Sequence, residues 1–200
     1  MYGTDAIVLN MHDYGEHDMK VSFFTREFGK MQMIVRGGKK ITTKQAHFLH
    51  HFGVVRIVFI SGKHIPFVRS VSAISLFPDI GRTMYGYGYL YSFLLLCNTL
   101  LYDNERDESM WDLLVSSLHD VAGIVEECST NQTEEVLWNA EKQWLNRLLG
   151  IMGVGDGSIV SSFNDRPGYD IDASLQQTLQ RHFNTPIHFF GLTVREHIYG

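Results

Sequence analysis

The chain has 200 residues, 44% of them apolar and 20% charged, a balance that supports a folded core and excludes a disordered tail. Its formal net charge is -5, but residues 1–80 carry 10 Lys and Arg against 6 Asp and Glu, net +4, while residues 81–200 carry 7 against 16, net -9. The first part is therefore suited to polyanionic partners and the second is not.

The opening MYGTDAIVLNMHD has an acid at position 5 and does not resemble a signal peptide. Within it AIVLNM (6–11) predicts a short apolar strand, and DYGEHD (13–18) a polar connection. KVSFFTRE (20–27) is β-branched and aromatic, FGK turns, and KMQMIVR (30–36) alternates, so a hairpin is expected. In the last of these, Met31, Met33 and Val35 share one face and Lys30, Gln32, Ile34 and Arg36 the other. HFLHH (47–51) reads as a linker entering a strand, with side chains that diverge. VVRIVFI (54–60), a turn and PFVRSVSAI (66–74) form a second hairpin. Five short strands in about 75 residues predict a small barrel such as the OB-fold.

The period changes near Phe77–Gly81. TMYGYGYLYSFLLL (83–96) predicts a helix whose glycines permit close packing, and Ser92, Asn98 and Thr99 break the apolar run below the length of a membrane span. Met110, Leu113, Leu114, Leu118, Val121, Ile124 and Val125 recur at helical spacing, as do Val136, Leu137, Ala140, Trp144, Leu145 and Leu148. Asp107 and Thr133 are the expected N-caps. Residues 151–168 read as a loop and 173–183 as a last short helix. Cys97 and Cys128 stand alone, which excludes a disulfide framework or a four-cysteine zinc site by counting and fits reduced thiols in a cytosolic protein.

VRGGKKITTK (35–44) gathers Arg36, Lys39, Lys40 and Lys44 around a glycine pair at the end of a strand. A solvated loop, a nucleotide cradle and a groove for a nucleic-acid backbone compete for it. The spacing does not fit the nucleotide motif. A barrel favours the groove, since such folds bind strands through a basic face with stacking aromatics. Lys20, Arg26, Lys30, Arg56, Lys63 and Arg69 add cations, and Phe23, Phe24, Phe28 and Phe48 are available rings, though these fit a core better. Asp13, Glu16 and Asp18 could serve a metal-dependent nuclease. Three acids in one turn more often shape a loop, with Asp13 forming the turn and Glu16 or Asp18 pairing with a cation. His47, His50 and His51 have a zinc-like spacing only if they lie on a helix; their protonation below about pH 6.5 would strengthen polyanion binding. GVGDG (153–157) follows a helix and lacks the third glycine of a dinucleotide turn.

The run AIVLNMHDYGEHDMKVSFFTREFGKMQMIVRGGKK resembles the start of the RecO family of recombination mediators. The match lies in Asp13, Tyr14, Gly15, Glu16 and Asp18; in Thr25, Arg26, Glu27, Gly29 and Lys30; and in Arg36, Gly37, Gly38, Lys39 and Lys40, in order and spacing. The resemblance is looser over the next 80 residues and only helical in character beyond about residue 130. It implies an α+β chain, β then α: a five-stranded OB-fold barrel over 1–78 and an all-helical domain over 79–200. It also implies a cytoplasmic, nucleoid-associated protein with no enzymatic turnover or catalytic residue; with the residue counts above, no metal, cofactor or membrane contact is expected. Such a protein binds single- and double-stranded DNA, anneals strands, and works with RecR and the single-stranded-DNA-binding protein to load RecA. This chain departs from many relatives in lacking the four cysteines of a zinc site, in being shorter, and in having an acidic helical half.

On this reading Arg36, Lys39, Lys40 and Lys44 are the first phosphate contacts, with Lys20, Arg26, Lys30 and Arg56 next. Arg106, Lys142 and Arg147 are the cations that could hold the acidic tail of the single-strand binder. A nuclease, or a protein-interaction module whose basic loop is merely solvated, are the readings from other classes.

Overall fold

A computed structural model describes residues 1–38, 44–62, 64–128 and 130–154; the expected 173–183 helix and most of the 151–168 loop lie outside the described residues. Five strands form a closed barrel: β1 (Tyr2–Tyr14), β2 (Asp18–Thr25), β3 (Gly29–Val35), β4 (Gly53–Ile60) and β5 (Phe67–Leu76), in the order β1-β2-β3-β5-β4. Every pairing is antiparallel except the short β3–β5 contact, Ile34 to Phe67 and Val35 to Val68. Helix α1 (Lys44–Leu49) lies between β3 and β4. This is the five-stranded architecture of the OB-fold, as the strand count predicts.

Alternation explains which side chains fill the barrel. Ala6, Val21, Phe23, Met33, Val35, Val55, Ile57 and Phe59 form its interior, closed by Leu49 of α1. Two expectations need correction here. β1 is longer than residues 6–11 because it pairs twice, with β4 over residues 2–7 and with β2 over 6–14, and polar residues at a strand's ends do not advertise that pairing. Residues 44–49 are helical, not a linker, because burying Leu49 in the barrel outweighs weak local preference. The His47 and His51 rings consequently meet at 4.4 Å instead of diverging.

After a 3-10 turn at Pro78–Arg82 come α2 (Met84–Leu100), α3 (Glu108–Glu127) and α4 (Thr130–Ile151). Thr83 caps α2 by accepting from the Gly86 N–H at 3.2 Å, and Asp107 caps α3 by accepting from the Met110 N–H at 3.0 Å. Asp107 is the cap expected from sequence. Thr133 is not a cap: α4 begins three residues earlier and Thr133 is buried within it. A Cβ added to Gly86 would come within 2.8 Å of Val125, so the glycine does allow α2 to approach α3. Among the described residues no helix is long and apolar enough to cross a membrane.

The helices share a core with the barrel's outer face. Ile7, Leu9, Phe24 and Val54 point away from the barrel interior and join Phe93, Leu94, Leu114, Trp144 and Leu148 in one cluster. Each of these large apolar side chains contributes about 1.5–3 kcal/mol when fully buried. Two layers of apolar residues thus hide both faces of β1 over residues 6–10 and of β2 over residues 21–25. The outer side of β5 and part of β4 are left exposed.

Candidate nucleic-acid interface

One outer face of the barrel, with His12 exposed, Lys20, Phe67 and Ile60 half-buried and Ile34 buried, can be built up from the strand register. His12 pairs with Lys20, Lys20 with Ile34, Ile34 with Phe67, and Phe67 with Ile60. Directly paired residues share a face, and their neighbours Met11, Val21, Met33, Val68 and Phe59 point inward. The row His12–Lys20–Ile34–Phe67–Ile60 therefore faces outward across all five strands. At its edge the Arg36 guanidinium lies over the Phe67 ring, 4.7 Å from the centroid. A cation held on an aromatic face, on the same barrel face as a second cation, Lys20, supplies charge for phosphate and a flat guanidinium plane on which a base can stack.

The turn that carries Arg36 is fixed from below. Gly37 has φ of +65°, the left-handed region that favours glycine, and its N–H donates to Asp18 Oδ1 at 2.9 Å. Asp18 therefore accepts from backbone, where the sequence suggested a cation. Asp13 lies in β1 opposite Met19, and the turn itself is made by residues 15–17, with Gly15 at φ +67°. Among the described residues no three His, Cys, Asp or Glu side chains are grouped to hold a metal ion.

Three of the predicted cations are engaged elsewhere. Arg26 donates to Glu108 Oε1 from Nε at 2.9 Å and from Nη2 at 2.6 Å, which joins the barrel to the start of α3. These hydrogen bonds hold the Glu108 carboxyl below its ordinary range. Lys30 is buried, and its ammonium donates to the carbonyls of Asn98, at 3.0 Å, and Leu101, and lies 3.2 Å from Asp103. It caps the C-terminal end of α2, where helical carbonyls lack partners and a cation is favoured. Arg56 pairs with Asp5 at 2.5 Å on the exposed β1–β4 face. Lys39, Lys40 and Lys63 lie outside the described residues. Lys44 opens α1. Of the eight cations, the structure brings Lys20 and Arg36 onto one surface.

The rings expected from sequence are core: Phe23 and Phe24 are fully buried, and Phe28 and Phe48 pack partly buried against the barrel interior. Phe67 is the aromatic that sequence reading passed over. Its position two residues from Arg69 on an alternating strand was visible, but its contact with Arg36 depends on the parallel β3–β5 pairing.

The candidate tail-binding cations do not converge. Arg106 lies 3.4 Å from Glu108, Lys142 is over the Trp138 ring at 5.4 Å, and Arg147 donates to Ser116 at 2.8 Å. A pocket lined by Phe24, Met110, Ile151 and Met152 carries on its wall Glu105 and Asp107, the two residues that flank Arg106 in sequence. Carboxylates there oppose an acidic peptide.

A closed OB-type barrel with helices packed on one side defines a class of protein whose barrel face and loops commonly take oligonucleotides or oligosaccharides. Comparison with known proteins narrows the class. Residues 1–77 match the family model described as "Recombination protein O N terminal". Curated relatives named "DNA repair protein RecO" include one from Pelotomaculum thermopropionicum, 28% identical over 123 residues, 62% of this chain and 48% of the relative. One from Symbiobacterium thermophilum is 27% identical over 119 residues, 60% of this chain and 47% of the relative. Another from Desulfitobacterium hafniense is 31% identical over 80 residues, 40% and 29% respectively. The chain spans about half the length of the first two. Over residues 1–77 the chain is thus similar to the N-terminal domain of RecO proteins.

Proposed function

We propose that this chain is a non-enzymatic DNA-binding protein of recombinational repair. It holds single- and double-stranded DNA by the phosphate backbone, promotes annealing, and with RecR and the single-stranded-DNA-binding protein helps to load the recombinase. The observation that carries this reading is the outward row of Lys20, Ile34 and Phe67 beneath Arg36. A barrel that grips the backbone while the base edges stay free supports pairing with a second strand. The similarity of residues 1–77 to RecO proteins supports the repair context, because the matched relatives are named DNA repair proteins.

The reading is tested by fluorescence anisotropy of labelled single strands titrated against salt, with Arg36, Lys39 and Lys40 changed together to alanine. Affinity should fall steeply with salt, and the triple variant should bind more weakly with a shallower slope. A flat salt response, or wild-type binding by the variant, would overturn it. Incubation of labelled DNA with magnesium or manganese should yield no cleavage products; products that vanish when Asp13, Glu16 and Asp18 are replaced would establish the nuclease instead.

A further inference from the structure

Helix α2 carries two tyrosines that its own core does not use. Tyr87 and Tyr91, one turn apart, stack at 5.6 Å between centroids with planes 14° apart. Both remain open to solvent, 48% and 39% exposed, in a helix where Tyr89 and Phe93 are buried and Tyr85 is partly buried against the core. Phe52, at the start of β4, meets Tyr87 at 5.4 Å and 63° and closes one end of the pair. The rings line two adjoining hollows that share His50, His51, Phe52 and Tyr87, the second of them about 270 Å³ and reaching Arg82.

The electrostatics of this groove differ from those of the helices around it. Among the described residues lining the two hollows there is no Asp or Glu, and the groups able to carry positive charge are His50, His51 and Arg82. Arg82 shares its charge with Asp79 outside the lining. Burial, together with the positive fields of His47, His50 and Arg82, holds the His51 imidazole below its ordinary pKa. Helix α1, 6 residues and about 9 Å long, is all that separates Lys44 from His50.

We propose that this groove is a stacking platform for single-stranded DNA, in which unpaired bases lie against the Tyr87–Tyr91 pair and the adjacent phosphates meet the His50 and Arg82 edge. The proposal rests on the DNA-binding reading of the barrel and extends it. The barrel's basic turn holds backbone in either form of DNA, whereas the tyrosine platform accepts only bases that are out of a duplex. A strand that leaves the barrel along α1 then meets flat π-faces. A carboxylate-free groove admits its phosphates, and stacking contributes about 1–3 kcal/mol per base without reading sequence.

The experiment uses the full chain and three labelled probes: an oligothymidylate, an abasic backbone of equal length, and a duplex. In the variant with Tyr87→Leu and Tyr91→Leu, affinity for the oligothymidylate should fall about ten- to hundred-fold. Binding of the abasic backbone and the duplex should not change, nor should the salt dependence for any probe. The paired Tyr87→Phe and Tyr91→Phe variant keeps the π-faces and should bind all three as the parent does. Oligothymidylate binding unchanged by the leucine pair, as it would be if the groove took an apolar peptide or a second copy of the chain, overturns the proposal. So does an equal loss for all three probes, which would report damage to the fold or to the charge. A parent chain that binds no probe in a salt-dependent way defeats the barrel reading itself, and this one with it.

Discussion

The Lys30 ammonium donates to the carbonyl oxygen of Asn98 at 3.0 Å, across a sequence gap of 68 residues. With the Leu101 carbonyl and Asp103 completing its surroundings, this one side chain ends α2 and fastens the helices to the β2–β3 turn. The backbone does the same beside it, where the Asn104 N–H donates to the Lys30 carbonyl at 2.8 Å. A lysine that looks from sequence like a phosphate contact is a structural clamp.

Replacing Lys30 by methionine keeps its apolar stem and removes the charge. Because hydrogen bonds to charged groups are worth about 1.5–3 kcal/mol, Lys30→Met should lower stability by about that amount in urea unfolding. A change within about 0.5 kcal/mol would mean that water replaces the ammonium without loss.

Gly29 stands at the same junction, with φ of +69° and the Glu105 carbonyl oxygen 2.0 Å from where a Cβ would be. Gly29→Ala therefore meets both left-handed strain and a backbone clash. It should cost more than the roughly 1 kcal/mol of the strain alone, read as a lowered urea midpoint. Gly15→Ala, with a similar φ but open space around it, should cost less.

Glu141 is fully buried in α4, and its Oε2 has no hydrogen-bond partner among the described residues. Burial pushes its carboxyl up to about 8 from 4.5. The folded state therefore holds a proton that the unfolded state releases, so stability falls as pH rises from about 4.5 to about 8 and is level above that. Glu141→Gln should flatten that part of the profile and be the more stable protein at pH 8. Parallel profiles for the two proteins in thermal melts from pH 5 to about 9 would show that the carboxyl finds a charged partner.

The cations sort by what holds them. Lys20→Ala and Arg36→Ala should each lower the slope of log affinity against log salt by about 0.7 on single strands. Arg26→Ala, whose side chain is paired to Glu108, should leave the slope alone. If Arg26 lowers it as Arg36 does, the ion pair opens on binding and the paired cations join the interface.

Much of the protein could be read from its residues. Alternation in KMQMIVR and VVRIVFI, the FGK turn, and the 3.6-residue spacing from Met110 to Val125 are local patterns, so the barrel strands, α2, α3 and the cap at Asp107 could be anticipated. The length of β1, the helix around Leu49 and the start of α4 could not, because pairing and burial set those limits.

What the sequence by itself determined is the barrel, the helices that follow it, and the concentration of positive charge in the first 80 residues, since each depends on composition and short-range period. The tertiary structure alone decided which charges remain available. Lys30 and Arg36 lie 6 residues apart with the same sign and on the same expected strand face. One is buried at a helix end and the other is open over Phe67. That difference arises from partners 31 to 73 residues away, brought close by barrel closure and helix packing, and no local pattern encodes it.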